Sequence, residues 1–244
     1  MKLSQRLDKI AGRIEKGEKV ADIGTDHGYL PLYLYEKGIS PKVIMADVSK
    51  GSLAKAENSC KEHAPGEKFD LRLGDGLDVI KKGEVDAVVI AGMGGILISE
   101  ILDWDLEKSY SIKKFVLQPR NNVGHLRKWL FKNGFEIVAE DLVAEGKVIC
   151  EIITCVPGDE IKVRDCIQDV SEDIILEYPL MLVEEEKTAD EKALTIAYLN
   201  EHLSKMNFIK GQIEKGTSGN VEFHKEYQQT LLRIARIEFL LSKL

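Results

Sequence analysis

The segment Asp22-Ile23-Gly24-Thr25-Asp26-His27-Gly28-Tyr29-Leu30 runs from a β-branched stretch straight into a helical pattern. Glycines at such a turn let the backbone approach a ligand where a Cβ would block it, and the helix start offers free N–H groups. The spacing is G-x-x-x-G, so the G-x-G-x-x-G pyrophosphate fingerprint is absent. Asp47 closes the second apolar run, where a carboxylate can accept both hydroxyls of a ribose. Asp75, in Gly74-Asp75-Gly76, follows the third and is placed to accept from an adenine amino group. Singly, each is also what a tight turn or a surface acid supplies. Jointly, at three strand ends, they specify an adenosine-type cofactor.

Two polar loops follow. Ala91-Gly92-Met93-Gly94-Gly95 comes after a fully apolar run, and its glycines open space for a second ligand beside the first. Gln118-Pro119-Arg120-Asn121-Asn122 comes after the next run; its amides suit a base edge, or the cap of the following helix. Asp26 and His27 flank the glycine turn, where a histidine serves as a base or as a packed, capping residue.

These positions need a frame, and the chain supplies the pattern of one. Leu3, Leu7, Ile10 and Ile14 share a helical face, with Lys2, Arg6, Lys9 and Arg13 one residue earlier making a basic stripe. That stripe reads as a solvated flank or as a phosphate-tracking surface. Strands are expected at Lys19–Ile23, Val43–Asp47, Phe69–Leu73, Val85–Ile90 and Phe115–Gln118, and helices at Leu30–Lys37, Ser52–His63, Ile96–Leu102 and Val123–Asn133. The last two strands, Phe135–Val143 and Lys147–Cys155, are joined by Ala144-Glu145-Gly146, too short for a crossover, so they form an antiparallel hairpin. A parallel sheet ending in one reversed strand is the habit of S-adenosylmethionine (SAM) methyltransferases rather than of NAD enzymes. Pro157-Gly158-Asp159 ends this α/β domain, residues 1–158. Residues 159–244 read as a helical, coiled-coil-like hairpin, Lys187–Lys215 and Val221–Leu244, turning at 216–220.

Composition excludes several classes. With 44% hydrophobic and 31% charged residues among 244, the chain is neither disordered nor membrane-spanning. The charged N-terminus is no signal peptide, and the four cysteines have no zinc-site spacing, so a cytoplasmic protein without a metal is expected, with a monomer favoured. The net charge of −7 comes mostly from the tail. Lys108, Lys113, Lys114, Arg120, Arg127, Lys128 and Lys132 lie in an acid-free segment, a second candidate for phosphate contacts together with Arg6 and Arg13.

The N-terminal helix, Asp22–Pro31, Ala91–Gly95 and Gln118–Asn122 followed by Leu126-Arg127-Lys128-Trp129-Leu130 together resemble the TrmK family, bacterial tRNA (adenine-N1)-methyltransferases acting on adenine 22. The likeness is dense over residues 1–158 and loose beyond. It implies a Rossmann-like SAM domain with a helical C-terminal domain, and tRNA as partner. SAM would be held by Asp22, Gly24, His27, Gly28, Asp47, Asp75, Gly76, Ala91 and Gly92. The target adenine would meet Asp26 and Tyr29 as catalytic residues, with Asn58, Met93, Gly94, Gly95, Gln118, Arg120 and Asn121 around the acceptor. Other readings that keep these residues are a SAM enzyme for another RNA or a small molecule, and a non-catalytic nucleoside-binding adaptor.

Overall fold

The computed structural model describes residues 1–158, 170–182, 187–216 and 224–244. The contacts divide the chain into two units, Met1–Cys166 and Ile167–Leu244. The boundary expected after Gly158 falls where the first described stretch stops; the residues just beyond it lie outside the described ones.

In the first unit seven strands form one sheet: β1 (Val20–Ile23), β2 (Val43–Asp47), β3 (Asp70–Leu73), β4 (Ala87–Met93), β5 (Lys114–Pro119), β6 (Phe135–Glu145) and β7 (Val148–Pro157). Their order is β3-β2-β1-β4-β5-β7-β6. Strands β1 to β5 pair in parallel, as their continuous apolar sequences require when both faces are covered. The reversed strand β7 lies between β5 and β6 rather than at the sheet's end. The hairpin closes more tightly than the sequence suggested. Glu145 pairs with Val148, leaving the two-residue turn Gly146-Lys147, with Gly146 at φ +64°.

Helices α1 (Gln5–Ala11), α2 (Tyr29–Glu36) and α3 (Lys50–His63) share one core cluster that includes Ile10, Leu30, Leu34, Ala56 and the Val20, Val43 and Val89 side chains. A separate cluster joins α4 (Gly95–Asp103) and α6 (Val123–Lys132) through Ile98, Leu102, Leu126 and Leu130 to Val88, Ile90 and Phe115. Each fully buried Leu or Ile here contributes about 1.5–3 kcal/mol relative to exposure. Between them, α5 (Leu106–Tyr110) is a single turn capped by Asp105, whose side chain accepts from the Lys108 N–H at 2.9 Å. It is too short for a periodicity to announce it.

In the second unit α7 (Val170–Ile175) packs on α9 (Lys225–Leu241), and α9 on α8 (Ala189–Gly216), the helical pair expected from the sequence. Arg233 of α9 holds Glu177 by two hydrogen bonds of 2.6 Å. Gly216 ends α8, and the rest of the expected turn, 217–220, lies outside the described residues. No helix among the described residues is long and apolar enough to cross a membrane.

Candidate functional site

The carboxyl ends of β3, β2, β1, β4 and β5 lie side by side, so the sheet order itself gathers the sequence's polar turns along one edge. At the end of β1 the chain reverses with three left-handed residues: Gly24 at φ +79°, Asp26 at +44° and Gly28 at +69°. Two N–H groups, of Gly24 and Thr25, bond the Ala46 carbonyl at 2.8 and 3.0 Å, tying this turn to β2. The turn is crowded: a Cβ on Gly24 would lie 2.2 Å from Met93 Cε, and one on Gly28 2.9 Å from Met45 Sδ. At Gly24 the torsion favours glycine, and at Gly28 the torsion and the packed Met45 and Ala56 side chains both do.

Asp22 is buried and accepts from the Thr25 hydroxyl at 2.7 Å. Its burial raises the pKa to about 6, against the Thr25 hydroxyl and the nearby Arg6, which favour the charged form; Asp47 adds to the rise. At the end of β2, Asp47 accepts from the Ser49 N–H at 2.8 Å with one oxygen and from the Asp26 N–H at 3.5 Å with the other. The Gly74 N–H bonds the Asp47 carbonyl at 3.2 Å, which brings the β3 loop, with exposed Asp75 and Gly76 at φ +46°, alongside.

The rim belongs to Asp26, His27 and Tyr29. The His27 and Tyr29 rings stack at 5.2 Å with 12° between planes. One Asp26 oxygen accepts from Lys55 Nζ of α3 at 2.9 Å, and the other lies 3.6 Å from His27 Nε2. Asn58 is exposed one turn further along α3. Lys55 was not singled out in the sequence; only its position three residues before Asn58, on the same helix face, hinted at it.

Several expectations change. Ala91, Gly92 and Met93 are part of β4, not a loop beyond it, with a register shift against β5 at Gly92, which sits at φ +82°. Gly94 and Gly95 give room to the β5 loop rather than to open space. A Cβ on Gly95 would lie 2.5 Å from the Asn122 carbonyl oxygen, and one on Gly94 2.8 Å from Asn121 Oδ1. Backbone bonds from Gly95 to Asn121 (2.9 Å) and from Arg120 to Met93 (2.8 Å) clamp the two loops together. Gln118 is buried, accepting from Arg6 Nη1 at 3.1 Å and donating to the Pro119 carbonyl at 3.0 Å, so its amide is occupied within the protein rather than offered to a base.

The proposed phosphate-binding arginines also change. Arg6 pairs with Glu145 at 2.9 Å, and Arg13 grips Asp141 through bonds of 2.5 and 2.6 Å, so α1 and the residues just after it are fastened to β6. Arg127 is fully buried, bonded to Glu140 at 2.7 Å and to Glu151. Burial opposes its charge, yet the two carboxylates outweigh it and its pKa is raised. No phosphate can reach it. Lys128 is half-buried and already engaged within the protein. Arg120, by contrast, is exposed beside Gly92, whose Cβ would meet the guanidinium at 3.6 Å, and it has no ion pair among the described residues.

Residues 3–153 match the family described as a methyltransferase domain. Over 159 residues the chain is 36% identical to the tRNA (adenine(22)-N(1))-methyltransferase of Bacillus subtilis, an alignment spanning 65% of this chain and 67% of that protein. The crystal structure of the B. subtilis m1A22 tRNA methyltransferase TrmK superposes with a TM-score of 0.77 at 30% identity, covering 99% of this chain and 98% of that one. A Streptococcus pneumoniae protein crystallised with S-adenosyl-L-methionine superposes with a TM-score of 0.79 at 27% identity, covering 98% and 100%.

Proposed function

We propose a division of labour among the residues of a chain that belongs to the TrmK family of tRNA (adenine(22)-N(1))-methyltransferases and that methylates N1 of adenine 22 in tRNA with SAM. The observation that carries it is the row of carboxylates, Asp22, Asp47 and Asp75, at the ends of adjacent parallel strands around a turn built on left-handed Gly24 and Gly28. These residues fit the cofactor. Asp47 has both oxygens held by backbone N–H groups, which fixes a carboxylate whose remaining lone pairs can accept ribose hydroxyls. Asp75 suits an amino group, and Asp22, a buried acid beside the glycine turn, suits a cationic one. The left-handed Gly24, Gly28 and Gly76 and the bulged Ala91-Gly92 let the backbone line the cradle. His27 borders it through its stack on Tyr29.

When bound, SAM supplies a methyl group on a positively charged sulfur. Adenine N1 is a neutral nucleophile with an available lone pair, so no prior deprotonation is needed. The methylated base is cationic until it loses a proton from its amino side. The protein's task is therefore orientation and stabilisation of positive charge. Asp26 holds a carboxylate at the rim for that charge, and Tyr29 offers a ring on which the base stacks. Met93, Asn121 and Asn58 border the acceptor, Gly94 and Gly95 seat the loop that carries Asn121, and Arg120 offers a cation to the RNA backbone. Because N1 is hidden in a base pair, the nucleotide must be exposed before it reacts.

The test pairs SAM titration by calorimetry with methyl incorporation into a tRNA transcript, the product located by the reverse-transcription stop at a methylated N1. Binding with a stop at adenine 22 is expected. SAM binding with methylation of a small molecule alone would favour a different acceptor, and no SAM binding would overturn the cofactor assignment.

A further inference from the structure

The ion pair between Asp26 and Lys55 is used by no step above. It sets a cation 2.9 Å from the carboxylate assigned to a cationic product, where it neutralises the very potential the product needs. We propose that Lys55 determines specificity: it covers the Asp26 carboxylate in the free protein and exchanges it for a backbone phosphate when RNA engages, baring the carboxylate only under a polyanionic substrate. The proposal rests on the assignment of Asp26 to the acceptor base.

The geometry suits an exchange. Both side chains are about half exposed, 52% and 53%, and exposed pairs of this kind hold weakly. The main chains at either end stay in place. Asp26 is fixed by its left-handed torsion of +44° and by its N–H toward Asp47, while α3 is anchored through buried Ala56, Ser59 and Cys60. Only the four-carbon stem of Lys55 need swing. Among the described residues the ammonium has one carboxylate to leave, and each phosphate near the target nucleotide presents oxygens that accept equally well. A free nucleoside has no such group, so it meets the covered carboxylate. The second Asp26 oxygen lies beside His27 Nε2 at 3.6 Å and is left where it is.

Lys55→Met separates this from a structural role. With the full chain and SAM, initial rates are measured on tRNA across a salt series and on excess adenosine, the product N1-methyladenosine being quantified by chromatography. SAM affinity should be unchanged. The slope of log kcat/KM for tRNA against log salt should flatten by about 0.9, one lost phosphate contact. Methylation of adenosine should rise by up to about fivefold, the value of an exposed ion pair expressed as a ratio. Lys55→Arg should restore the wild-type slope and preference. In an Asp26→Ala background, Lys55→Met should leave adenosine methylation where it was. An unchanged slope, or adenosine methylated no better than by the wild type, refutes the exchange. If Asp26→Ala itself turns over tRNA at the wild-type rate, the assignment of Asp26 fails and the proposal fails with it. If Asp26→Ala is impaired while Lys55→Met behaves as wild type, only the exchange is refuted.

Discussion

Replacing Arg127 by methionine should destabilise the first unit severely while leaving its surface chemistry intact. The guanidinium on α6 is fully buried against Glu140 of β6 and Glu151 of β7, and its removal takes the paired cation from two carboxylates whose side chains are 2% and 9% exposed. Breaking a buried pair from one side costs about 3–5 kcal/mol, because the partner charge stays in a medium that cannot solvate it. For a chain of this size each kcal/mol lowers the melting temperature by roughly 2–4 °C, so a fall of about 6–20 °C is expected. Circular dichroism during heating measures it. Adding Glu140→Gln and Glu151→Gln should recover most of the loss, since a neutral trio leaves no charge uncompensated. A melting temperature within about 2 °C of the wild type would refute the reasoning. So would a fully stable variant with weakened tRNA binding and a flatter salt slope, which would restore Arg127 to the RNA surface.

Asp47→Ala should weaken SAM binding by about 1.5–3 kcal/mol, the worth of hydrogen bonds to an ionised acceptor, as read by calorimetry; wild-type affinity would misplace the cofactor. Asp26→Ala and Tyr29→Ala should reduce methyl transfer to tRNA far more than SAM affinity, and equal losses in both would make them part of the cofactor turn. Asp22→Asn should stabilise the SAM-free protein above pH 6 by about 3 kcal/mol, since the native pKa of about 6 lies above the unfolded value and the penalty accrues as pH rises between them. That difference should fall to about 0.5 kcal/mol by pH 4 and vanish below pH 3 in urea titrations, and persistence of the full difference at pH 4 would contradict the burial argument. Arg120→Gln should weaken tRNA binding and flatten its salt slope by about 0.9 in filter binding, whereas Arg13→Gln should lower the melting temperature without changing the slope.

The sequence disclosed what is periodic or terminal. The seven strands, the major helices and the strand-end acids Asp22, Asp47 and Asp75 were all legible, because a parallel sheet imposes apolar runs and places its ligand edge at their ends. What was illegible depends on partners far away in the chain. Arg6, Arg13 and Arg127 look like free cations in sequence, yet their acids stand 139, 128 and 13 residues away on β6. Lys55 and Asp26 are 29 residues apart, joined only once α3 packs beside the turn. Gly94 and Gly95 advertised space, but space for whom is settled by the β5 loop that fills it. Residues such as α5 and the turn at 76–79 were missed because one helical turn carries too little pattern to detect.

The position of β7 has a consequence for how the protein comes into being. Leaving the ribosome, the chain delivers β5, which finds β4 on one side only, and then β6, which finds no neighbour at all, because the strand that belongs between them has still to be made. Until Pro157 emerges, buried β5 and half-buried β6 stand with unsatisfied edges, open to pairing with other nascent chains. The two-residue turn at Gly146-Lys147 shortens that interval by returning β7 along β6 at once, so that the hairpin can enter the gap as a preassembled wedge. Interrupting synthesis before that point should yield an insoluble product, and a shorter or longer turn should lower the soluble yield before it touches turnover.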